Sequence, residues 1–359
     1  MQQEEQQFPY QEEPFVETQE EKIEKYARMA VPTVAAVGLG GGGCNVISWC
    51  KEKGISGGKL VAVNTDATHL RIVKADKRIL IGEKLTHGMG AGGYPDVGEK
   101  ALYESANEVI HELTKSNIIF LVAGLGGGTG TGSIVGLADV LRRKFADNPM
   151  APLIVGVVTL PFEVETARMA AAKKGLSRLK SVCDSVVVID NNRLVKVAGN
   201  LPFREALGVA NTTVGKFVKG VTETITTASL INLDYADLKA IMSGSGLASI
   251  GIGEGVGENR IETAVDKALN GRLLDIEDVT KAQGLLIHVS GGEDLTLGEV
   301  NRAAEIMKRS LPPNVKIIWG ARVEPELKGA VSVMAVVTGV ESAFLKKNEK
   351  HLGRLKLPI

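Results

Sequence analysis

The sequence predicts an α/β protein built on a mostly parallel sheet, and three observations lead to this class. Six short apolar runs in the first half of the chain are continuous rather than alternating, which is typical of strands buried on both faces. Helical patterns separate these runs, so we expect βαβ crossovers with helices on both sides of the sheet. Glycine-rich segments follow two of the runs, at the carboxyl ends of strands where such sheets bind ligands.

The elements follow in order from these patterns. Strands are predicted at 33–37, 60–64, 78–81, 117–123, 153–160 and 185–189. A long helix is then expected from Leu201 to about Thr226, with Asn200 as its N-cap and Pro202 in its first turn. Beyond this helix the sequence pattern changes to strand-like runs that surround helical segments. It predicts strands at 248–252, 284–289, 315–319 and 332–337, and helices near 260–269 and 297–309. We read this second half as a smaller α+β domain.

The chain of 359 residues is long enough for two domains, and composition adds a tail at each end. We predict an acidic disordered tail at 1–30, within which a helix can start at Thr18, and a nucleotide-binding domain at 31–200. The central helix takes 201–228, the C-terminal α+β domain 229–342, and a short basic tail 343–359.

Composition excludes several classes of function. The formal net charge is zero, without a lysine or arginine stripe, which argues against a nucleic-acid partner. Three cysteines without a CxxC pair, and an amino terminus unlike a signal peptide, favour the cytoplasm. No run approaches the roughly 18 apolar residues of a membrane span, so we expect no direct membrane insertion.

The segment from Gly124 to Gly132 is the most informative part of the chain. It reads Gly-Leu-Gly-Gly-Gly-Thr-Gly-Thr-Gly between a predicted strand and a predicted helix. Glycine lets the main chain approach a phosphate closely, and the following helix presents its positive end to the same point. The pattern therefore indicates a phosphate-binding segment.

Two further glycine segments narrow the ligand. Gly38, Gly40 and Gly43 satisfy the GxGxxG fingerprint, which leaves an NAD-dependent Rossmann enzyme as a remote alternative. The third segment spans 88–93, and the chain has no Walker string ending in Gly-Lys-Ser/Thr. Backbone amides that converge from several directions suit a triphosphate better than one pyrophosphate.

With these motifs in this order, the chain resembles the tubulin/FtsZ family, of archaeal FtsZ type, over roughly residues 31–340. The signature string is Gly126 to Gly132, and phrases such as Ile317-Ile318-Trp319-Gly320-Ala321 suggest the archaeal branch. The resemblance implies a Rossmann-like GTPase domain, GTP/GDP as ligand, Mg²⁺ held mainly by phosphates and water, and hydrolysis at the junction of a head-to-tail homopolymer. It also implies a cytoplasmic role at the division site and a membrane-adaptor partner bound through a terminal tail.

The resemblance also assigns residues to the nucleotide. Those implied at the phosphates are Gly41, Gly42, Gly43, Asn45, Gly128, Thr129 and Gly130, with Ala91, Gly92 and Gly93 near the γ-phosphate. Cys44 stands among them as a small filler. Glu165 is implied at the ribose, Arg168 at a phosphate, and Asn191, Leu207 and Asn211 around the base.

The catalytic acids are implied on a separate segment. Asn232, Asp234 and Asp237 match the loop with which one subunit completes the nucleotide site of the next. Carboxylates three residues apart at a helix start can face one side and orient or polarise an attacking water. Spacing alone favours Asp234 as a plain N-cap, and it is the resemblance that favours catalysis.

The chain departs from the family pattern at two points. Arg168 follows Glu165 by three residues where the family usually has four. Leu207 replaces the aromatic residue that stacks on the base, and Thr212 replaces the aspartate that reads guanine. A hydroxyl makes at most one uncharged bond there, so we expect weaker discrimination against other purine nucleotides. A relative that assembles but hydrolyses poorly is the alternative.

Overall fold

The computed structural model describes residues 18–193, 202–227, 233–270, 281–341 and 343–346. Ten strands of the described chain form one continuous sheet in the order β3-β2-β1-β4-β5-β6-β7-β10-β8-β9. Their bounds are β1 Val34–Leu39, β2 Gly58–Asn64, β3 Lys77–Leu80, β4 Ile118–Gly124, β5 Leu153–Leu160, β6 Ser185–Asp190, β7 Gly246–Val256, β8 Gly284–Gly291, β9 Lys316–Val323 and β10 Ala330–Thr338.

Strand direction divides the sheet into two edges with different uses. Strands β1 to β6 are parallel, and β7 pairs in parallel with β6. Strand β10 runs antiparallel between β7 and β8, and β9 is parallel to β8. Every strand except β10 therefore runs in the same direction. We term the end of the sheet at which these strands start the amino edge, and the end at which they finish the carboxyl edge.

Helices cover both faces of the sheet. They are α1 Gln19–Ala30, α2 Gly40–Glu52, α3 Ala67–Ile72, α4 Glu83–Thr86, α5 Pro95–His111, α6 Gly128–Lys144, α7 Thr166–Val182, α8 Phe203–Thr226, α9 Tyr235–Met242, α10 Arg260–Asn270, α11 Leu297–Arg309 and α12 Ala343–Lys346. One apolar cluster packs α2, α8 and α9 on the sheet, a second packs α5 to α7 on the opposite face, and a third lies under α10 and α11.

The predicted fold class is confirmed, with differences in how the elements begin and join. Each predicted strand is present, usually extended by one or more residues. The long helix begins at Phe203, so Pro202 is its N-cap rather than part of its first turn, while Asn200 and Leu201 lie outside the described residues. The two halves of the chain also join through β6–β7 pairing, because the exposed edge of β6 accepts another strand.

Parts of both expected tails are ordered. Residues 19–30 are helical, since Thr18 and Glu21 form a reciprocal capping box that satisfies the first amides of α1. Near the other end, Phe344 and Leu345 pack against the apolar cluster of α5 to α7. The helix starts where the sequence allowed one, directly after Thr18. Residues 1–17 and 347–359 lie outside the described part of the chain.

Helix α8 is tied to both halves of the protein by a buried carboxylate. Glu223 has a side chain only 3% exposed, and it accepts a hydrogen bond from the amide of Ser56 after α2. It is paired with Lys219 one turn earlier on α8 and with Arg322 on β9. A buried charge is tolerated when it is paired and hydrogen-bonded in this way. These bonds connect α8 to the segment between α2 and β2 and to strand β9.

The residue after Glu223 begins a second buried polar chain. Thr224 Oγ1 lies 2.8 Å from His288 Nδ1, whose Nε2 lies 3.1 Å from Ser290 Oγ on the same strand. Ser290 donates to Glu324 at 2.9 Å. Burial lowers the pKa of His288 to about 4, with the Arg322 guanidinium as a second cause. The imidazole is therefore neutral inside the folded protein at neutral pH.

This neutral histidine predicts a pH-dependent stability. The unfolded chain gains a proton on His288 near pH 6.5, whereas the folded chain resists it until about pH 4. The unfolded state thus binds more protons in this window, so stability is complete above it and is lost as the pH falls. We expect the free energy of unfolding to drop by about 2 kcal/mol between pH 7.5 and 5. Urea unfolding at each pH measures this.

The control for that experiment is His288→Gln, in which position 288 no longer carries a group that titrates in this window. Its unfolding free energy is expected to change with pH by less than about 0.5 kcal/mol over the same range, whatever its absolute stability. Equal slopes for the native chain and the variant would contradict a buried neutral imidazole.

Candidate nucleotide and catalytic sites

The glycine segments at the carboxyl edge are mainly helix starts rather than loops. Helix α2 begins at Gly40, directly after β1, and α6 begins at Gly128 with Gly127 as its N-cap. Between β4 and α6 the chain turns at Gly126, whose φ of +99° is open to glycine and strained for other residues. The Gly126 amide donates to Thr131 Oγ1 at 2.8 Å, which fixes this turn. Two helix N-termini therefore meet at one place.

A cavity of about 510 Å³ opens between these two N-termini. Its walls come from the ends of β1, β4 and β5, the starts of α2, α6 and α7, and the residue after β6. The lining residues are Leu39, Gly41, Gly42, Gly124, Leu125, Gly127, Gly128, Thr129, Gly130, Thr159, Leu160, Pro161, Phe162, Glu165, Arg168 and Asn191. Unbonded N–H groups and helix dipoles at both N-termini favour an anion here.

The glycines of the two motifs serve two structural roles: some leave the backbone open to the cavity, and others allow close packing between backbone segments. A Cβ on Gly41 or Gly127 would meet no atom within 4 Å, so at these positions the bare backbone faces open space. A Cβ on Gly43 would lie 2.2 Å from Val122 O, and one on Gly132 would lie 1.9 Å from Pro95 O. Gly43 therefore packs closely against β4, and Gly132 lets α5 approach α6.

The third glycine segment is mounted on the start of α6. A Cβ on Gly128 would lie 2.9 Å from Ala91 Cβ and 2.8 Å from the Tyr94 amide, so the segment rests directly on this helix. Gly92 and Gly93 are exposed and have positive φ. Because Ala91 is buried, it anchors the segment, while the two glycines face outward.

Two residues at the start of α7 line the same cavity. Glu165 is the N-cap residue of α7, and its Oε2 accepts from the Phe162 amide at 3.1 Å. Arg168 Nη1 donates to Glu165 Oε1 at 2.5 Å. The spacing of three residues thus still places both groups on one side, as the helical argument predicted. In this geometry they form an ion pair with each other at the cavity wall.

One expected base contact has an unused acceptor. Asn191 lines the cavity just after β6, and its Oδ1 is buried without a hydrogen-bond partner among the described atoms. A buried acceptor without a hydrogen bond lowers the stability of a protein by roughly 1–3 kcal/mol. A ligand N–H that donates to Asn191 Oδ1 would therefore bind favourably at this position.

Asn211, another expected base contact, borders a neighbouring cleft together with Asn45, which was expected at the phosphates. Asn45, Asn211 and Thr212 line a cleft of about 800 Å³ between α2, α8, β7 and α10. Asn45 Oδ1 also lies 3.1 Å from His69 Nε2. Helix α2 joins the two cavities, since Gly41 and Gly42 face one and Asn45 the other. The side chain of Leu207 lies outside the described part of the structure, which gives its backbone within α8.

Cys44 does not reach the cavity. Its thiol is buried 3.5 Å from Gly38 O and 3.6 Å from Val63 O, and burial raises its pKa to about 12. A thiol held neutral in this way is unreactive. Across the ranges that the structure describes, no group of three or more His, Cys, Asp or Glu side chains is arranged to hold a metal ion.

The predicted acids lie on α9 at the amino edge. Asp234 is the N-cap of α9 and accepts from the Ala236 amide at 3.0 Å, so its capping role is present. Asp237 is exposed, and its Oδ1 lies 3.2 Å from Lys316 Nζ at the start of β9. Asn232 lies outside the described residues.

Contacts of α9 establish which edge it occupies. Tyr235 donates to Asn117 O at 3.2 Å, and Lys239 donates to Ala151 O at 3.3 Å. Both acceptors lie just before β4 and β5, whereas the cavity lies beyond the ends of these strands. A seven-residue strand is about 23 Å long. The cavity and the acids of one chain therefore lie on opposite edges of the sheet.

Sequence reasoning did not assign an individual role to several residues of these sites. Gly127 and Phe162 line the cavity, and Thr131 fixes the turn at Gly126. Position directly after β4 or β5 was a signal for the first two, because ligands bind at carboxyl ends of parallel strands. Lys316 lies 79 residues from Asp237, and no local pattern joined them.

Comparisons with known proteins agree with this geometry. Residues 33–199 match the model of the tubulin/FtsZ family GTPase domain, and residues 246–341 match that of the FtsZ family C-terminal domain. The chain belongs to the tubulin/FtsZ family. It is a GTPase that binds guanine nucleotide, and the strand-edge cavity with its paired helix N-termini is the part of the structure suited to the phosphates.

Archaeal FtsZ proteins are among its relatives. Cell division protein FtsZ 2 of Methanocaldococcus jannaschii is 46% identical over 312 residues, which cover 86% of this chain and 80% of that protein. FtsZ 1 of Pyrococcus furiosus is 43% identical, covering 92% of this chain and 87% of that protein. A solved FtsZ dimer of M. jannaschii superposes with a TM-score of 0.83 at 45% identity, over 91% of this chain and 93% of that chain.

The two kinds of glycine predict contrasting variants. Gly127→Ala adds a methyl group to open cavity wall, so we expect GTP affinity to fall at least about tenfold while the free energy of unfolding changes by less than about 1 kcal/mol. Gly132→Ala drives a methyl group into the backbone of α5, so its main effect is on stability. Calorimetric titration with GTP and urea unfolding measure the two effects. Native affinity in Gly127→Ala would contradict this assignment.

Proposed function

We propose that the protein assembles head to tail into protofilaments and hydrolyses GTP at each junction. The observation that supports this most directly is the separation of the nucleotide cavity from Asp234 and Asp237 by the length of the sheet. One subunit cannot bring its own acids to its own cavity. Stacking the amino edge of one subunit on the carboxyl edge of the next places acids beside phosphates and repeats without closing.

Exposed apolar side chains on both edges support this stacking. Met89, Tyr94 and Val164 at the carboxyl edge are 80%, 69% and 88% exposed. Met150, just before β5 at the amino edge, is 74% exposed. Large exposed apolar groups are typical of surfaces that contact another protein. The solved M. jannaschii FtsZ relative is described as a dimer, which is the simplest unit of such an assembly.

The proposed chemistry is water attack on the γ-phosphate. As the water oxygen bonds to the γ-phosphorus, the bond from that phosphorus to the bridging oxygen breaks, and its electron pair leaves with GDP. Asp234 and Asp237 of the incoming subunit orient the water and accept its proton, and Asn232 positions it. Phosphoryl transfer depends mainly on positioning and charge stabilisation, so assembly itself can switch it on.

Mg²⁺ fits this site when the phosphates and water supply most of its ligands. Two carboxylates that follow strands at the carboxyl edge already have partners: Glu165 is paired with Arg168, and Asp66 caps α3 by accepting from the His69 amide. The ion keeps several waters and binds through phosphates at many sites of this chemistry. There it would neutralise charge on the β- and γ-oxygens.

The remaining assignments follow the relatives. We propose that Glu165 and Arg168 exchange part of their mutual pairing for the ribose and a phosphate, and that Asn191, Leu207 and Asn211 surround the base. By its kinship to cell division proteins, the chain acts at the division site, with a terminal tail bound by a membrane adaptor. Among the described elements, no helix is both long and apolar enough to cross a membrane.

A direct test uses two variants of Asp234. Asp234→Asn keeps the side-chain oxygen that caps α9 but removes the charge, whereas Asp234→Ala removes both. We expect both variants to bind GTP and assemble normally, and to lose concentration-dependent phosphate release. Light scattering and phosphate release measure the two activities in parallel.

Two outcomes of that test would contradict the proposal. Native hydrolysis by Asp234→Asn would reduce the residue to a cap. Hydrolysis at an unchanged rate per molecule in dilute, monomeric protein would place the whole active site within one subunit.

The residue at position 212, in the cleft between α2, α8, β7 and α10, predicts weak discrimination between purine nucleotides. Thr212 stands half-buried in the cleft, where a hydroxyl offers less than a carboxylate to guanine N1 and its exocyclic amine. We expect GTP to be preferred over ATP and ITP by less than about a thousandfold, and Thr212→Asp to widen the preference by about tenfold or more. Competition binding of the three nucleotides to both proteins measures this. A preference above that limit in the native chain would sink the idea.

A further inference from the structure

Two lysines accompany the acids at the amino edge, and they differ in how they are held. Lys239 donates to Ala151 O and lies over the ring of Tyr235, 5.8 Å from its centroid, so its ammonium is engaged beneath α9. Lys316 Nζ lies 3.2 Å from Asp237 Oδ1 on the outer side, with side chains 49% and 53% exposed. Such a pair contributes less than about 1 kcal/mol to the stability of a free subunit.

The position of Lys316 is set firmly nonetheless. It starts β9, an edge strand of the described sheet, which is hydrogen-bonded along its length only to β8. Six residues later on the same strand, Arg322 is paired with the buried Glu223 of α8. Positions six apart on a strand share a face. One end of β9 is therefore anchored in the interior while the other presents its ammonium to Asp237.

Assembly changes what this ion pair does. In the proposed junction, Asp237 leaves water and approaches the negative γ-phosphate of the neighbouring subunit. Both changes disfavour a charged carboxylate unless a cation stays beside it. Lys316 is the cation that the structure places within contact of Asp237.

We propose that Lys316 is a positioning residue for hydrolysis, which keeps the Asp237 carboxylate charged and aimed at the attacking water when a junction closes. The inference rests on the proposed function, because it requires that Asp237 act on the nucleotide of the next subunit. It extends the site to β9, an element outside both the glycine motifs and the acid-bearing helix.

The test compares Lys316→Gln and Lys316→Arg with a matched exposed pair. Arg302 lies 3.1 Å from Glu262, with side chains 45% and 47% exposed, and it joins α11 to α10, two helices that carry none of the predicted acids. Arg302→Gln is therefore the control. For each protein, GTP affinity of the monomer, assembly with a non-hydrolysable GTP analogue, and phosphate release per assembled subunit are measured.

We expect Lys316→Gln to bind GTP and assemble as the native chain does, while its turnover falls about tenfold, equivalent to about 1.4 kcal/mol in the barrier. Lys316→Arg keeps the charge, so its turnover stays within about threefold of native. Arg302→Gln is expected to match the native chain in all three measurements.

Several results would overturn the inference. Native turnover in Lys316→Gln makes the pair an ordinary surface contact. Equal loss in the glutamine and arginine variants removes the role of charge, and loss of assembly makes Lys316 part of the docking surface instead. Measuring Asp234→Asn in parallel distinguishes failure of the proposed function from failure of this inference. If Asp234→Asn hydrolyses GTP at the native rate, the proposed function fails. If Lys316→Gln hydrolyses GTP at the native rate while Asp234→Asn does not, this inference alone fails.

Discussion

Parallel strands place the two halves of the chemistry at opposite edges of one sheet, and the rest of the protein depends on that separation. The helix N-termini that suit phosphates form where β1 and β4 end. The acids sit on α9, against the residues that precede β4 and β5. Seven residues of extended chain keep them about 23 Å apart. A second subunit is the simplest way to reunite them, and under the proposed function catalysis and assembly are therefore one event.

Close backbone packing holds each half in place. The glycines at 43, 98, 128 and 132 bring α2 onto β4 and seat α5 with its exposed glycine segment on α6, because any Cβ there would collide with backbone or with Ala91. On the other side, Glu223 joins α2, α8 and β9 through Ser56, Lys219 and Arg322.

Much of this structure could be predicted from the amino-acid sequence. Continuous apolar runs predicted the six strands of the first half, because burial on both faces leaves few polar positions to interrupt them, and strand-like runs predicted the four strands of the second half. The glycine motif predicted the place of the cavity. The individual duties of its glycines were not predictable, since Gly127 and Gly132 differ only in what lies across from them. The possible helix after Thr18 is present as α1, and its capping box joins residues only three apart in sequence.

Local pattern was thus sufficient for the elements, the phosphate-binding edge and the family, because each depends on residues that are neighbours in sequence. Three-dimensional packing was needed to learn that the acids lie at the far edge, that the expected base contacts divide between two cavities, and that Lys316 stands beside Asp237. These facts depend on which strands pair and in which direction. Contacts of that kind form between segments dozens of residues apart, and short-range periodicity does not encode them.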